Sequence, residues 1–139
     1  MSENEKEGRL NRRVLLGCMI LIGLAGGCGP AANHPELAPV TGVVTVNGKP
    51  VENVTVVFTP ATEGRVSRGG TDAEGKFTLR YAGDADGAVL GQHAVTFMVI
   101  DADAPANVLP RKYADQTASI PAEVTKAGPN EYTFDLKGR

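Results

Sequence analysis

The sequence predicts an all-β fold, a single antiparallel β-sandwich of about seven strands that follows an N-terminal signal helix. After residue 28, no stretch shows the sustained 3.6-residue apolar period of an amphipathic helix. Short runs rich in Val, Thr and Phe recur instead, separated by Gly, Pro, Asn and Asp. Gly and Pro supply 17 and 9 of the 139 residues, well above their combined average of about 12%. A chain with this many turn residues favours short strands.

The first predicted hairpin is the clearest local signal. A strand over 40–46 runs into Asn47-Gly48, a pair that tolerates the positive φ of a type I′ turn. The return strand is 53–59, where apolar residues alternate with others and so place one set toward a core. We expect these two strands to pair.

A second hairpin is predicted from 66–71 and 76–81, which flank a four-residue turn. Asp72 at the start of this turn can accept hydrogen bonds from backbone N–H groups two or three residues on. Gly75 can take the left-handed conformation that closes it.

Three further strands complete the predicted set. One covers 93–101, and the other two, 120–126 and 131–137, are expected to form a final pair. In the last strand Tyr132, Phe134 and Leu136 alternate with polar residues and share one face.

The N-terminal segment has the layout of a secretory signal. Three arginines, at positions 9, 12 and 13, precede an apolar run of 11 residues over 14–24. A transmembrane helix needs about 20 apolar residues, so this run is short for that role. Small residues, Ala25-Gly26-Gly27, come directly before Cys28. The Arg12-Arg13 pair also resembles a twin-arginine signal, which leaves the export route open.

A cysteine at this position resembles the lipobox of bacterial lipoproteins. The resemblance implies cleavage between Gly27 and Cys28 and acylation of Cys28 with palmitate-type chains. The aliphatic residue usual three positions before the cysteine is replaced here by Ala25, with Leu24 one position earlier. The alternative, a disulfide between Cys18 and Cys28, would lose Cys18 together with the leader. The resemblance to sorting in other diderm bacteria, where Asp after the cysteine retains lipoproteins, implies the outer membrane, because Gly29 follows here.

These signals divide the chain into three parts: a signal peptide over 1–27, a flexible tether over 28–39 and a β-domain over 40–139. The processed chain would carry 10 Lys and Arg against 13 Asp and Glu, a net charge of −3. This balance predicts no nucleic-acid partner. A domain of this size buries about two thirds of its unfolded surface and can fold without a disulfide.

Five runs of the β-domain resemble carboxypeptidase-regulatory-like and transthyretin-like domains, over residues 42–44, 47–51, 54–60, 71–77 and 91–97. The tail, over residues 110–113 and 130–136, is also similar to small lipoproteins of the Planctomycete type. Together these resemblances cover nearly all of the processed chain. His93 stands where an aromatic residue is more usual. These motifs specify turns and core positions, so the resemblance implies a fold and not an activity.

One transthyretin-like branch hydrolyses 5-hydroxyisourate, so a soluble periplasmic hydrolase is the enzymatic alternative. The resemblance implies that an enzyme of this branch would carry a set of His and Arg residues and a Tyr-Arg-Gly-Ser ending. Here residues 135–139 read Asp-Leu-Lys-Gly-Arg, and the processed chain has only His34 and His93. Acid–base catalysis needs such groups to converge on one cavity. We therefore predict a non-catalytic protein with no cofactor.

Calcium is a second alternative. Asp84-Ala85-Asp86-Gly87 resembles part of a calcium loop, and Asp101 and Asp103 add carboxylates. Calcium needs six to eight oxygen ligands. The eleven residues from 90 to 100 would span about 35 Å as a strand and hold the two acidic pairs apart. We predict no metal site.

The candidate ligand-binding residues are Arg111, Lys112 and Tyr113, which follow Pro110. An aromatic ring beside two cations could contact an anionic glycan or a peptide of an envelope protein. The alternative is structural: the tyrosine packs on the domain while the two cations stay solvated. The sequence thus predicts an envelope lipoprotein, anchored through Cys28, that presents a domain for binding or structural assembly.

Overall fold

A computed structural model describes residues 34–82 and 85–138, so the predicted signal peptide and Cys28 lie outside the described part. Strands cover 47% of that part and helix 4%, which confirms the all-β prediction. No helix among these residues has the length and apolar character needed to span a membrane. The elements are β1 (Leu37–Ala38), β2 (Thr41–Val46), β3 (Lys49–Pro50), β4 (Val54–Pro60), β5 (Ser67–Gly70), β6 (Lys76–Thr78), β7 (Ala88–Val89), β8 (Gly91–Val99), α1 (Arg111–Ala114), β9 (Ile120–Val124) and β10 (Glu131–Leu136).

Most of these strands belong to two four-stranded sheets. The first sheet has the order β10-β2-β3, with β6 also paired to β2, and the second has the order β5-β4-β8-β9. Strands β1 and β7 form a separate pair. Within the described ranges the pairings are antiparallel except for one: β10 runs parallel to β2, from Glu131 opposite Thr41 to Leu136 opposite Val46.

The two sheets contribute to one shared hydrophobic core. Phe134 of the first sheet lies at ring-centroid distances of 5.4 Å from Phe97 and 6.3 Å from Phe58, both in the second sheet. Phe77 stacks on Phe134 from within the first sheet. The aliphatic part of the core comes from the same two sheets, with Val44 and Leu136 from the first and Val54, Val56, Val95 and Val124 from the second.

The predicted first turn is present, but its predicted return strand is wrong. Asn47 and Gly48 have φ values of 51° and 83°, as a type I′ turn requires. The return strand is only β3, two residues long. Val51 still donates to the Val44 carbonyl oxygen at 3.3 Å, but the Val44 N–H is bonded to the Gly75 carbonyl oxygen at 2.8 Å, so the pairing with the return strand ends there. The chain then enters the second sheet as β4, whose neighbours are β5 and β8.

The second predicted hairpin has its turn as expected and spans both sheets. The Asp72 carboxylate accepts the N–H groups of Glu74 and Lys76, both at 2.9 Å, and Gly75 has a φ of 75°. Its arms diverge, with β5 in the second sheet and β6 in the first. Arg68 and Arg80 still exchange two backbone hydrogen bonds, at 3.0 and 2.9 Å. This bridge joins the two sheets along one side.

The predicted final pair of strands is wrong. β9 pairs with β8 in the second sheet, whereas β10 pairs with β2 in the first. Between them, the side chain of Asn130 accepts the N–H of Thr125 at 2.9 Å and donates to its carbonyl oxygen at 2.9 Å. An alternating pattern predicts which face of a strand is buried but not which strand lies beside it.

The folded domain begins earlier than predicted. The sequence predicts that Leu37 and Ala38 belong to the tether, but they form β1 opposite β7, and Ala38 is 4% exposed. Ala38 and Val40 belong to the core cluster, together with Ala88 from β7. The end of the predicted tether is therefore corrected: residues 37–38 belong to the domain.

Candidate functional site

Two adjoining cavities lie where β2 and β8 end. The first, about 490 Å³, lies beside Val46 and Asn47, and the second, about 450 Å³, lies beside Met98 and Val99. Both cavities share three lining residues, Asn107, Leu109 and Arg111. We call the two cavities together the Arg111 cleft.

The segment that forms the wall of this cleft is fixed by local chemistry. Pro110 has a φ of −56°, and its carbonyl oxygen accepts the N–H groups of Tyr113 and Ala114, which starts α1. The helix lasts one turn because Gln116, which follows it, has a φ of 54°. Asn107, which precedes the helix, has a φ of 69°. Leu109 is buried and belongs to the core, so its side chain fixes the segment to the domain.

The three predicted binding residues lie together on α1, but they have different environments. The half-buried ring of Tyr113 meets Phe97 edge-on at 5.9 Å. The Lys112 ammonium lies 4.9 Å from the centre of the same ring, as in a cation–π contact. Arg111 is exposed and faces both cavities. Among the described residues, neither cation forms an ion pair with a carboxylate.

Asn47 enters the cleft from the tip of the β2–β3 hairpin, where the sequence predicts only a turn. The carboxylate of Asp135 holds this tip by accepting the Gly48 N–H at 2.9 Å and the Thr45 hydroxyl at 3.0 Å. These two hydrogen bonds keep the pKa of Asp135 below its ordinary value, and the bond from Gly48 has the larger effect. The Asn47 amide oxygen in turn accepts the N–H of Gly138 at 3.2 Å.

The exposed large hydrophobic side chains of the described part lie beside the cleft. Val99 is 36% exposed and Ile100 is 67% exposed. The sequence predicts residues 95–100, VTFMVI, only as part of the strand over 93–101. Apolar residues continue to Ile100, one residue beyond the end of β8 at Val99, so the end of this run also indicates an exposed apolar surface.

The same end of β8 lacks a strand neighbour on one side. β8 pairs with β4 from His93 to Val99, but with β9 only from Gly91 to Val95. Residues Thr96–Val99 therefore have a strand partner on the β4 side alone. No other backbone group of the described ranges donates to or accepts from these four residues.

His93, the strand histidine of the enzymatic alternative, lies in the core. It is 4% exposed, its ring packs on Phe58 at 5.6 Å, and its Nδ1 lies 3.0 Å from the Gly91 carbonyl oxygen. Burial lowers the pKa of His93 below the usual 6.5, and the contact with Gly91 offsets only part of this effect. The His93 ring is therefore a packed group of the interior.

The acidic residues considered for calcium do not converge in the described part. Asp86 lies 3.6 Å from Arg80, and Asp101 accepts the N–H of Asp103 at 2.9 Å within its own loop. Asp84 lies outside the described residues. No group of three or more His, Cys, Asp or Glu side chains suited to a metal occurs in 34–82 and 85–138.

Comparisons of this chain with protein-family models, with curated proteins and with solved structures give no match.

Proposed function

We propose that this protein is an exported lipoprotein of the bacterial cell envelope, in the outer membrane, that presents a non-catalytic β-domain for binding or assembly. The observation that carries the proposal is the order of signals in the first 28 residues: arginines, an 11-residue apolar run, three small residues and Cys28. Acylation of this cysteine with several chains would anchor the protein firmly, because one acyl chain alone binds a membrane only marginally.

The fold within this proposal is a β-sandwich of the carboxypeptidase-regulatory-like or transthyretin-like type. The shared aromatic core of the two sheets supports it, as does the hairpin whose arms divide between them. The position of His93 also supports it, since its ring packs on Phe58 as an aromatic residue would.

A binding role is favoured over an enzymatic one by where the polar groups lie. His93 is held in the core, so it is not offered to a substrate. The Arg111 cleft instead combines apolar walls with a few polar side chains, which is the usual composition of a ligand site.

Replacement of Cys28 tests the anchor. We expect wild-type protein to incorporate a labelled fatty acid, to fractionate with membranes and to have the mass of an acylated chain beginning at Cys28. The variant Cys28→Ala should lose the label, because the acyl acceptor is gone. The matched control is Cys18→Ala, which removes the other cysteine and should keep the label, since Cys18 would leave with the leader. Equal acyl labelling and equal membrane association of Cys28→Ala and wild type would contradict the proposal.

A further inference from the structure

We propose that the first cavity of the Arg111 cleft binds a small organic anion, in which a carboxylate or phosphate group is attached to a short apolar body. This inference names the ligand class of the proposed binding role and rests on that role. It does not depend on acylation of Cys28, so the two proposals can be tested separately.

The polar side chains around the first cavity are all able to donate hydrogen bonds. Arg111 and Lys112 carry several donors and no acceptor. The Asn47 amide oxygen accepts the Gly138 N–H at 3.2 Å, which orients this amide and leaves its amino group without a partner among the described residues. Asn107 makes no side-chain hydrogen bond within the same ranges. Four side chains from three separate segments thus present donors to one cavity, which specifies a ligand that accepts hydrogen bonds.

The charge of the first cavity specifies an anion as that acceptor. Its lining includes two cations and no carboxylate. In the described part Arg111 forms no ion pair, and the Lys112 ammonium lies over the Tyr113 ring at 4.9 Å instead of beside an acid. Asp115 lines only the second cavity, and the carboxylate of Asp135 is engaged by the hairpin tip. An anionic group would supply the missing countercharge, because a guanidinium can donate two parallel hydrogen bonds to a carboxylate or a phosphate.

The other lining residues indicate that the body of the ligand is small and apolar. Val46, Leu109 and Pro110 form the apolar part of the wall. Leu109 is buried in the core, so this wall is fixed before a ligand arrives. The cavity volume of about 490 Å³ lies within the range of about 300–1,000 Å³ that is usual for small-molecule sites. A short apolar chain that ends in an anionic group fits this lining.

The position of the cavity disfavours a lipid headgroup of the anchoring membrane as the source of the anion. Glu36, just before β1, accepts the N–H of Leu90 at 3.3 Å, directly before β8 begins, whereas the cleft lies where β8 ends. Strand β2 likewise starts beside β1 and ends at Val46 in the cavity wall, and its 6 residues span about 20 Å. A tether from Cys28 would therefore enter at the opposite end of the domain, which leaves the cavity open to a molecule in solution.

Titration with isocaproate, a carboxylate on a short branched chain, tests the inference on the full chain in a non-ionic detergent. We expect saturable NMR shifts of the Gly138 backbone amide and of the Asn47 side-chain amide. The variant Arg111→Gln should bind isocaproate about tenfold more weakly, because the guanidinium that pairs with the carboxylate is lost. The matched control is Arg65→Gln, an equal change of charge at an exposed site outside the cleft, which should bind as the wild type does.

Two further ligands separate the contribution of charge from that of the apolar body. Isocaproamide has the same body without the charge and should not bind. Inorganic phosphate has the charge without the body and should bind more weakly than isobutyl phosphate. Whichever of isobutyl phosphate and isocaproate binds more tightly identifies the anionic group, and either result supports the inference. Equal binding of isocaproate and isocaproamide, no saturable shift with either organic anion, or unchanged affinity of Arg111→Gln would overturn it.

A last arm separates this site from the membrane anchor. The Cys28→Ala chain should bind the organic anion with unchanged affinity, whether or not the anchor proposal holds. The same chain should not bind vesicles of phosphatidylglycerol through the cleft. Vesicle binding that Arg111→Gln abolishes would assign the cleft to lipid headgroups and overturn the inference.

Discussion

The ring of Phe77 covers Gly42 on the neighbouring strand. A Cβ added at Gly42 would lie 2.7 Å from the Phe77 ring and closer still to the carbonyl oxygen of Tyr132. The pair lies in register between β2 and β6, so the absent side chain makes room for a core aromatic. Phe77 continues the aromatic core by stacking on Phe134.

Gly42→Ala should therefore destabilise the domain by about 1–3 kcal/mol, the usual cost of forcing an extra methyl group into a packed core. Chemical denaturation measures this change. The control is Gly70→Ala in β5, where a Cβ meets nothing within 4 Å; its effect should stay within about 0.5 kcal/mol. Equal destabilisation by both variants would show that space at Gly42 is not limiting.

The buried His93 should make stability depend on pH. Its pKa is lowered in the folded state, mainly by burial, whereas in the unfolded chain it titrates near 6.5. Above that pH both states hold a neutral ring, and the full stability is present. As the pH falls below 6.5, the unfolded chain takes up a proton first, so the free energy of unfolding decreases until the folded pKa is passed.

Denaturation of wild type and His93→Phe between pH 7.5 and pH 5 measures this effect. The phenylalanine variant should lose stability less steeply with falling pH, because it carries no proton acceptor at this site. His34→Gln is the control, since His34 is exposed, and it should follow the wild-type slope. Identical slopes for wild type and His93→Phe would assign the dependence to other groups.

Two buried hydroxyl groups of the second hairpin should respond oppositely to removal. The Ser67 hydroxyl is buried and has no hydrogen-bond partner among the described residues. Ser67→Ala should leave stability unchanged or raise it by up to about 1 kcal/mol, because an unsatisfied polar group is removed. Thr71 instead accepts the N–H of Val54 at 3.0 Å. Thr71→Val keeps its shape but leaves that N–H unpaired, and should cost about 1–3 kcal/mol. Thermal unfolding of both variants measures the two changes in stability. A loss of stability in Ser67→Ala would indicate a partner for its hydroxyl.

The Asp135 carboxylate should control the hairpin tip that lines the cleft. Asp135→Asn removes the charge from an acceptor shared by Gly48 and Thr45, so the Gly48 amide should exchange its hydrogen faster. Because the pKa of Asp135 is lowered in the folded state, the wild-type tip should loosen only as the pH falls through that pKa. Amide exchange followed by NMR checks both statements, with the Gly75 amide of the other turn as the internal reference. Unchanged exchange at Gly48 in Asp135→Asn would contradict the assigned role.

Features set by neighbouring residues are predictable from this sequence, whereas features set by contacts between distant residues are not. The turns at Asn47-Gly48 and Asp72–Gly75 were predicted correctly because the chemistry of a turn lies within four residues. The strand partners were not, since alternation within 53–59 or 131–137 identifies a buried face and not a neighbour. The pairing of β10 with β2 joins residues 90 positions apart, and no local pattern encodes it.

The residues of the candidate site also divide into those that a local pattern indicates and those that only the fold brings together. Arg111, Lys112 and Tyr113 could be selected as candidates from the sequence because they are consecutive and chemically distinctive. Asn47, Asn107 and Ile100 come from segments far apart in the sequence, so their proximity to the cleft is a product of the fold. The tether was set too long for a related reason: Ala38 looks like a linker residue until the partner strand β7 is known.

The pairing of β10 beside β2 also has a consequence for synthesis. The first sheet cannot be completed until residues 131–136 are available, long after 41–46 have been made. Until then β2 has an open edge, and contacts of such long sequence separation form slowly. A ribosome-bound chain would thus remain short of the native state of this domain until residues 131–136 have emerged and paired with β2.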